Sequence, residues 1–205
     1  MLRRKLFGFM KRRIGIYSGT FNPIHTGHIG FALQAIDIAG LDEVYFLPER
    51  YRLKNNDVAH FGHRTAMIRQ ALKPHKNLHI LELNDISFSV KRTWPGLLKR
   101  FSGDDLAFLV GSDVLQNLGT WPHVGNLLES VELIVGVRSG DAGKIQTGME
   151  PLPVRPRRTF FINSYAGDVS STKVRAALRS RKNTQGVLSS VERYSRQNWL
   201  YISLV

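Results

Sequence analysis

Cysteine is missing from the 205 residues, which removes disulfides, thiolate metal sites and a cysteine nucleophile together. The absence fits a reducing, cytoplasmic setting. Any metal would need oxygen or imidazole ligands, and no His-Glu-x-x-His arrangement is present to build a hydrolytic zinc centre. No apolar run approaches the roughly 20 residues of a bilayer span, and the apolar piece at residues 6–10 is too short for a secretory-signal core. Internal repeats and low-complexity tracts are also absent. Acidic residues are scarce, 16 Asp and Glu against 29 Lys and Arg, for a formal net charge of +13. Such a field attracts anions, whether nucleotides, polyphosphates, nucleic acids or acidic membranes, and does not choose among them. Arg3, Arg4, Lys5, Lys11, Arg12 and Arg13 make residues 1–13 a basic arm, read as a solvated terminus rather than a nucleic-acid or membrane anchor.

What is present suits one domain with a substantial core: 42% of residues are apolar. From residue 14 to 205, short apolar runs alternate with amphipathic stretches, the signature of an α/β fold built on a doubly wound parallel sheet. Strands are expected at 13–17, 44–48, 78–83, 106–110, 133–137 and 159–162. Helices are expected at 27–39, 64–72, 93–101, with Pro95 tolerated in the first turn, at 171–181, and in a short C-terminal part including 187–194. Residues 139–158, punctuated by Gly140, Gly143, Gly148, Pro151, Pro153 and Pro156, read as a surface loop or lid.

The sharpest local feature is Ser18-Gly19-Thr20-Phe21-Asn22-Pro23-Ile24-His25-Thr26-Gly27-His28, between the first strand and the first long helix. Ligands of an open parallel sheet sit outside the carboxyl ends of its strands. There, glycines let backbone come close and the next helix aims its first amides at the crevice, which would stabilise a polyphosphate. His25 and His28 can project to one point as N–H donors for phosphate oxygens whose charge grows in a transition state. Taken singly, each is more often a structural hydrogen-bonding residue. The pair also has the spacing of two metal ligands, but further ligands and a base are wanting. His60 and His63 repeat the spacing in an apparent polar loop without a glycine turn and are set aside, as are His75, His79 and His123.

A second feature, Val169-Ser170-Ser171-Thr172-Lys173-Val174-Arg175, opens a late helix. Serine and threonine there are plain caps in the simplest reading. Arg175, one turn on from Ser171, adds a guanidinium to hydroxyls and first-turn amides, making an anion clamp suited to the outer phosphates of a nucleoside triphosphate.

With both segments in this order, the chain resembles the nucleotidyltransferase branch of the HxGH superfamily. Within that branch it is similar to the nicotinate or nicotinamide mononucleotide adenylyltransferases over about residues 14–202. Landmarks between the two segments agree: Leu47-Pro48 after a strand, Arg64 and Met67 on the next helix, Gly111-Ser112-Asp113 after a central strand, then Trp121. The resemblance implies a Rossmann-like fold. It places ATP against Gly19, Thr20, Phe21, His25 and His28, with Ser171, Thr172 and Arg175 over the phosphates. It sets the pyridine mononucleotide opposite, near Lys54, Ser89, Thr93, Gly111, Asp113 and Trp121. Trp121 on its own is as readily a half-buried core residue, although stacking on a cationic ring gives a functional motive. Two departures stand out. Asn22 replaces a usual Asp, and residues 49–57 lack the family's Pro-Pro-His-Lys, offering Arg50, Arg52 and Lys54 instead. Either those cations take over phosphate binding, or the acceptor differs, or activity is lost.

The reaction implied is transfer of AMP from ATP to nicotinate or nicotinamide mononucleotide, giving the dinucleotide and pyrophosphate, with His25, His28, Thr20 and Arg175 as catalytic residues. Magnesium is expected on the ATP phosphates, with no protein metal ligand. ATP and a pyridine mononucleotide are the expected partners, without membrane or nucleic acid, and a homo-oligomer is compatible. Two other readings use the same residues: transfer to another phosphorylated acceptor such as phosphopantetheine, and a non-catalytic nucleotide- or RNA-binding member.

Overall fold

A computed structural model describes residues 11–50, 58–138, 140–163, 169–180 and 185–201. In chain order the elements are β1 (Arg13–Gly19), α1 (Thr26–Ala39), β2 (Glu43–Pro48), α2 (Phe61–Leu72), β3 (Leu78–Ile80), α3 (Thr93–Arg100) and β4 (Asp105–Gly111). There follow α4 (Ser112–Leu118), α5 (Val124–Ser130), β5 (Glu132–Val137), α6 (Ala142–Met149), β6 (Thr159–Asn163), α7 (Ser171–Ser180) and α8 (Ser189–Gln197). The strands form one sheet in the order β3-β2-β1-β4-β5-β6, with every pairing parallel. The expected doubly wound sheet is therefore what forms.

Strand alternation sends successive side chains to opposite faces, and in a parallel sheet both faces are covered. Ile14, Ile16, Phe108, Val110, Leu133 and Val135 join α3, α4 and α5 in one core around Trp94, Leu97, Leu115 and Leu127. Ala107, Leu109 and Ile134 join α1, α2 and α8 in the other, around Ala32, Ala35, Met67, Ile68 and Val191. The chain winds from β1 outward to β3, then returns across β1 to begin β4. The crevice between the ends of β1 and β4 is thus the switch point where ligands of such sheets bind. Register keeps the rim level: Gly19 lies opposite Pro48 and Gly111 opposite Gly136.

Three differences from the sequence reading concern helices. Residues 139–158 are not a featureless loop or lid, because α6 occupies 142–149 and packs on α4. An added Cβ at Gly148 would stand 2.8 Å from Leu115 Cγ, so the glycine that reads as a breaker is the contact point allowing two helices to close. Ile145, Met149 and Leu152 complete that face of the core. Neither α4 nor α5 was expected, since each spans only 7 residues, two turns that carry almost no periodic signal. His60 and His63 do not lie in an open loop: His60 Nδ1 accepts the Gly62 amide at the start of α2 (3.3 Å), and His63, inside α2, has Nδ1 3.1 Å from the Tyr194 hydroxyl.

Candidate active site

The chain between β1 and α1 turns at Phe21, whose φ of +47° is uncommon for a residue with a side chain. Packing holds it there. The Phe21 ring meets Tyr17 edge-on (centroids 5.3 Å), His28 likewise (5.1 Å) and Phe46 at a tilt (5.4 Å). Arg64 of α2 staples the turn from its other side. This guanidinium, 1% exposed, donates to three carbonyls: Thr20 at 2.5 Å, Glu49 at 2.8 Å and Ala59 at 3.0 Å. A planar fork of donors is what three divergent acceptors require, and it ties the segment after β1 to the segment after β2. Asn22 Oδ1 accepts from the Ala59 amide (3.0 Å) and the Tyr201 hydroxyl (2.7 Å), so residues near the C terminus close on the same turn.

His25 stands at the N-cap of α1 and His28 three residues later. Their rings stack with centroids 3.7 Å apart and planes 27° from parallel. The His25 amide donates to His28 Nδ1 at 3.2 Å. A ring nitrogen that accepts carries no proton, so neutral His28 bears its hydrogen on Nε2. Burial, then His25 and Arg138, hold the His28 ring well below the ordinary imidazole value, and burial with Arg138 pushes His25 down to about 4. At neutral pH the pair is two uncharged rings able to donate N–H, in a place where charge can later develop.

α7 joins this turn directly. The Ser171 hydroxyl donates to the Pro23 carbonyl (3.0 Å) and Arg175 Nη1 to the Asn22 carbonyl (2.9 Å), across sequence separations of 148 and 153. Arg175 Nη2 lies 3.4 Å from Thr172 Oγ1. Arg175 Nε and His25 Nδ1 are buried polar atoms with no hydrogen-bond partner among the described residues, unusual in a folded interior. Gly19, Thr20, Phe21, His25 and His28 are thereby gathered with Ser171, Thr172 and Arg175.

At the rim beyond β4 and β5, Asp113 pairs with Arg138 (3.0 Å) and Lys144 (2.8 Å), and Lys144 also reaches Asp141 (2.9 Å). Buried Asp141 takes the Ser112 hydroxyl and the Arg138 amide. Of these, Arg138 and Asp141 line a cavity of about 500 Å³ together with Val137, Gly140, Ile145 and Asn163, among others. Gly111, the N-cap of α4, brings Asp113 to this rim. Arg138, whose charge acts on both histidines, was not singled out in the sequence. Its one signal was a cation directly after the apolar run of β5.

On the opposite side, the ends of β1, β2 and β3 open into a second crevice lined by Ser18, Pro48, Glu49, Asp85, Phe88 and Thr93, among others. Thr93 belongs to it, its hydroxyl donating to Asp85 (2.8 Å) and accepting the Ser89 amide (3.0 Å). Trp121 is not among its lining residues; the partly buried ring packs on the core beside Phe88 (5.9 Å) and Phe108 (6.3 Å). Lys54 lies outside the described residues. Glu49, read in the sequence only as the start of an atypical loop, has its carboxyl pushed up by burial, although it accepts from the Phe88 amide and the Ser18 hydroxyl. Among the described residues no group of three His, Cys, Asp or Glu is placed to hold a metal ion.

Comparison with known proteins gives relatives of the sequence and of the fold. A cytidylyltransferase-like family profile matches residues 16–177. The chain is 31% identical over 198 residues to the nicotinate-nucleotide adenylyltransferase of Bacillus subtilis, covering 94% of this chain and all of that one. It is 29% identical over 200 residues to a probable nicotinate-nucleotide adenylyltransferase of Neisseria meningitidis, covering 93% and 98%. Among solved structures, the fold is similar to Plasmodium falciparum nicotinic acid mononucleotide adenylyltransferase complexed with NaAD. That match has a TM-score of 0.76 at 17% identity and covers 93% of this chain and 97% of that one.

Proposed function

The chain belongs to the cytidylyltransferase-like family and, within it, to the nicotinate-nucleotide adenylyltransferases, and from that premise we propose that it transfers AMP from ATP to a pyridine mononucleotide. A 5′-phosphate oxygen of the mononucleotide attacks the α-phosphorus of ATP in line. The new P–O bond forms as the bond to the β-phosphate oxygen breaks, leaving a dinucleotide and pyrophosphate. Phosphate oxygens are nucleophilic at neutral pH, so no general base is required and catalysis consists of positioning and charge stabilisation.

The carrying observation is the pair of hydrogen bonds from Ser171 and Arg175 to the backbone of Pro23 and Asn22. They set a guanidinium against the turn that holds two imidazoles, with its Nε unpartnered among the described residues. In this reading His28 Nε2 and His25 donate to the α-phosphoryl oxygens, Thr20 orients that group, and Arg175 with Ser171 and Thr172 holds the departing pyrophosphate. Gly19 and Phe21 shape the turn, while Ser89 and Thr93 stand by the crevice at the ends of β1, β2 and β3 that we assign to the acceptor, apart from Gly111 and Asp113 on the other rim and from Trp121, which packs on the core. Magnesium carried on the ATP phosphates would neutralise charge there, and His25, His28, Thr20, Ser171 and Arg175 would hold the phosphate oxygens rather than the ion.

Purified protein with ATP, magnesium and either mononucleotide should release pyrophosphate and dinucleotide in equal amounts. His28→Ala should lower turnover at least roughly 100-fold, the usual effect of deleting a transition-state donor. Retained turnover in that variant would remove the role given to His28.

A further inference from the structure

Beyond α8 the chain takes up left-handed backbone at two aromatic residues, Trp199 at φ +54° and Tyr201 at φ +61°. Bulky side chains rarely adopt this conformation, and it persists only where the surroundings fix it. The Trp199 ring supplies no such hold, being 78% exposed. The end of α8 does: Asn198 Nδ2 donates to the Tyr194 carbonyl (2.9 Å) and the Leu200 amide to the Ser195 carbonyl (2.9 Å). α8 in turn rests on α2, with Val191 and Met67 in one core and the Tyr194 hydroxyl 3.1 Å from His63 Nδ1. The result is a phenol turned back onto the segment after β1, its hydroxyl donating to Asn22 Oδ1 at 2.7 Å.

Asn22 is where that phenol meets the triphosphate clamp. Its buried side-chain oxygen accepts from Tyr201 and from the Ala59 amide (3.0 Å), while its carbonyl accepts Arg175 Nη1 (2.9 Å). Burial pushes the Tyr201 phenol up, against the opposing charges of Arg175 and Arg64, so at neutral pH the hydroxyl keeps its proton and remains a donor. Resting on the adenylyl-transfer reading above, we propose that Tyr201 is a positioning residue for ATP: it holds Asn22 so that the Asn22 carbonyl sets the Arg175 guanidinium for the outer phosphates. Tyr201 acts through Arg175 and not on the reacting atoms. Without the hydroxyl, Asn22 Oδ1 loses the shorter of these two hydrogen bonds, and a guanidinium displaced by about 1 Å loses much of its effect on a transition state.

The test is a double-mutant cycle of Tyr201→Phe and Arg175→Ala, with kcat/KM measured for ATP, KM measured for the mononucleotide, and each protein checked by thermal melting. Phenylalanine keeps the ring that packs beside the core. Tyr201→Phe should fall at least about 5-fold in kcat/KM for ATP, with KM for the mononucleotide within about 2-fold of wild type. In the Arg175→Ala background the same substitution should cost under about 2-fold, because the group it positions is already gone. Equal losses in the two backgrounds, or an unchanged kcat/KM for ATP, would overturn the assignment. A matching rise in KM for the mononucleotide would also overturn it, by showing a general loosening of the site. Reading the same cycle as the ATP-induced rise in melting temperature needs no acceptor. That arm decides the role of Tyr201 even if the wild type turns over neither mononucleotide, the outcome that removes the adenylyl-transfer reading itself. A wild type that ATP does not stabilise overturns both.

Discussion

Arg64 offers a quantitative test of how the site is held together. Arg64→Met keeps most of the apolar stem and deletes every donor, stranding the carbonyls of Thr20, Glu49 and Ala59. A buried acceptor left without a partner costs about 1–3 kcal/mol. Two considerations lower the sum. The Glu49 end borders an open crevice where water can substitute, and removing a guanidinium whose pKa burial already lowers relieves some desolvation. The net loss should be about 4 kcal/mol. Arg64→Lys keeps the charge but cannot span three divergent carbonyls from one ammonium, and should lose about half as much. Urea denaturation followed by circular dichroism reads both values from the midpoints at constant slope. The damage should also reach function, because the freed carbonyls belong to the turn after β1 and the crevice after β2. KM for the mononucleotide should rise at least about 10-fold in Arg64→Met. A loss under about 1 kcal/mol for methionine, or lysine equal to arginine, would refute the staple.

Acid should destabilise the protein through His25. The unfolded chain binds a proton on that ring near pH 6.5 and the folded chain only near 4. The stability it contributes is therefore present above about pH 6.5 and is lost as pH falls toward 4, by about 3 kcal/mol. Denaturation midpoints across that window should fall, and His25→Asn should flatten the slope; an unchanged slope would place the titration elsewhere. Arg175→Ala should weaken ATP use by at least about 10-fold in kcat/KM, and Arg175→Lys should recover little of it, because an ammonium cannot bridge the Asn22 carbonyl and a phosphate as a fork does. Equal kinetics for Lys and Arg would show that charge alone suffices. Gly148→Val should lower the melting temperature by several degrees, since its Cβ would meet Leu115 Cγ at 2.8 Å. An unaltered melt would mean that α6 does not pack on α4.

The fold was legible where periodicity was long or the apolar run continuous. β1, β4 and β5 are buried on both faces and read as unbroken apolar runs, and α1 announces its end with Gly40 in the left-handed conformation at φ +66°. Short helices escaped notice for the reciprocal reason: α4, α5 and α6 have at most 8 residues, and α6 holds two glycines that look like punctuation until Leu115 is seen against one of them. Arg64 was visible as a landmark, yet nothing in a linear chain says that its three acceptors come from two different loops.

The two polar segments were identifiable from residue types and spacing alone, because a glycine turn before a helix and a Ser-Ser-Thr-x-x-Arg helix start each carry their chemistry locally, within one or two turns of backbone. Their meeting was decided only in three dimensions, where strand order β3-β2-β1-β4-β5-β6 brings the ends of β1 and β6 to one rim and places Arg175 on the Asn22 carbonyl. The same holds for the neutral state of the histidines. Protonation and hydrogen-bond satisfaction depend on what surrounds a group on every side, and a sequence specifies only what lies next to it along the chain.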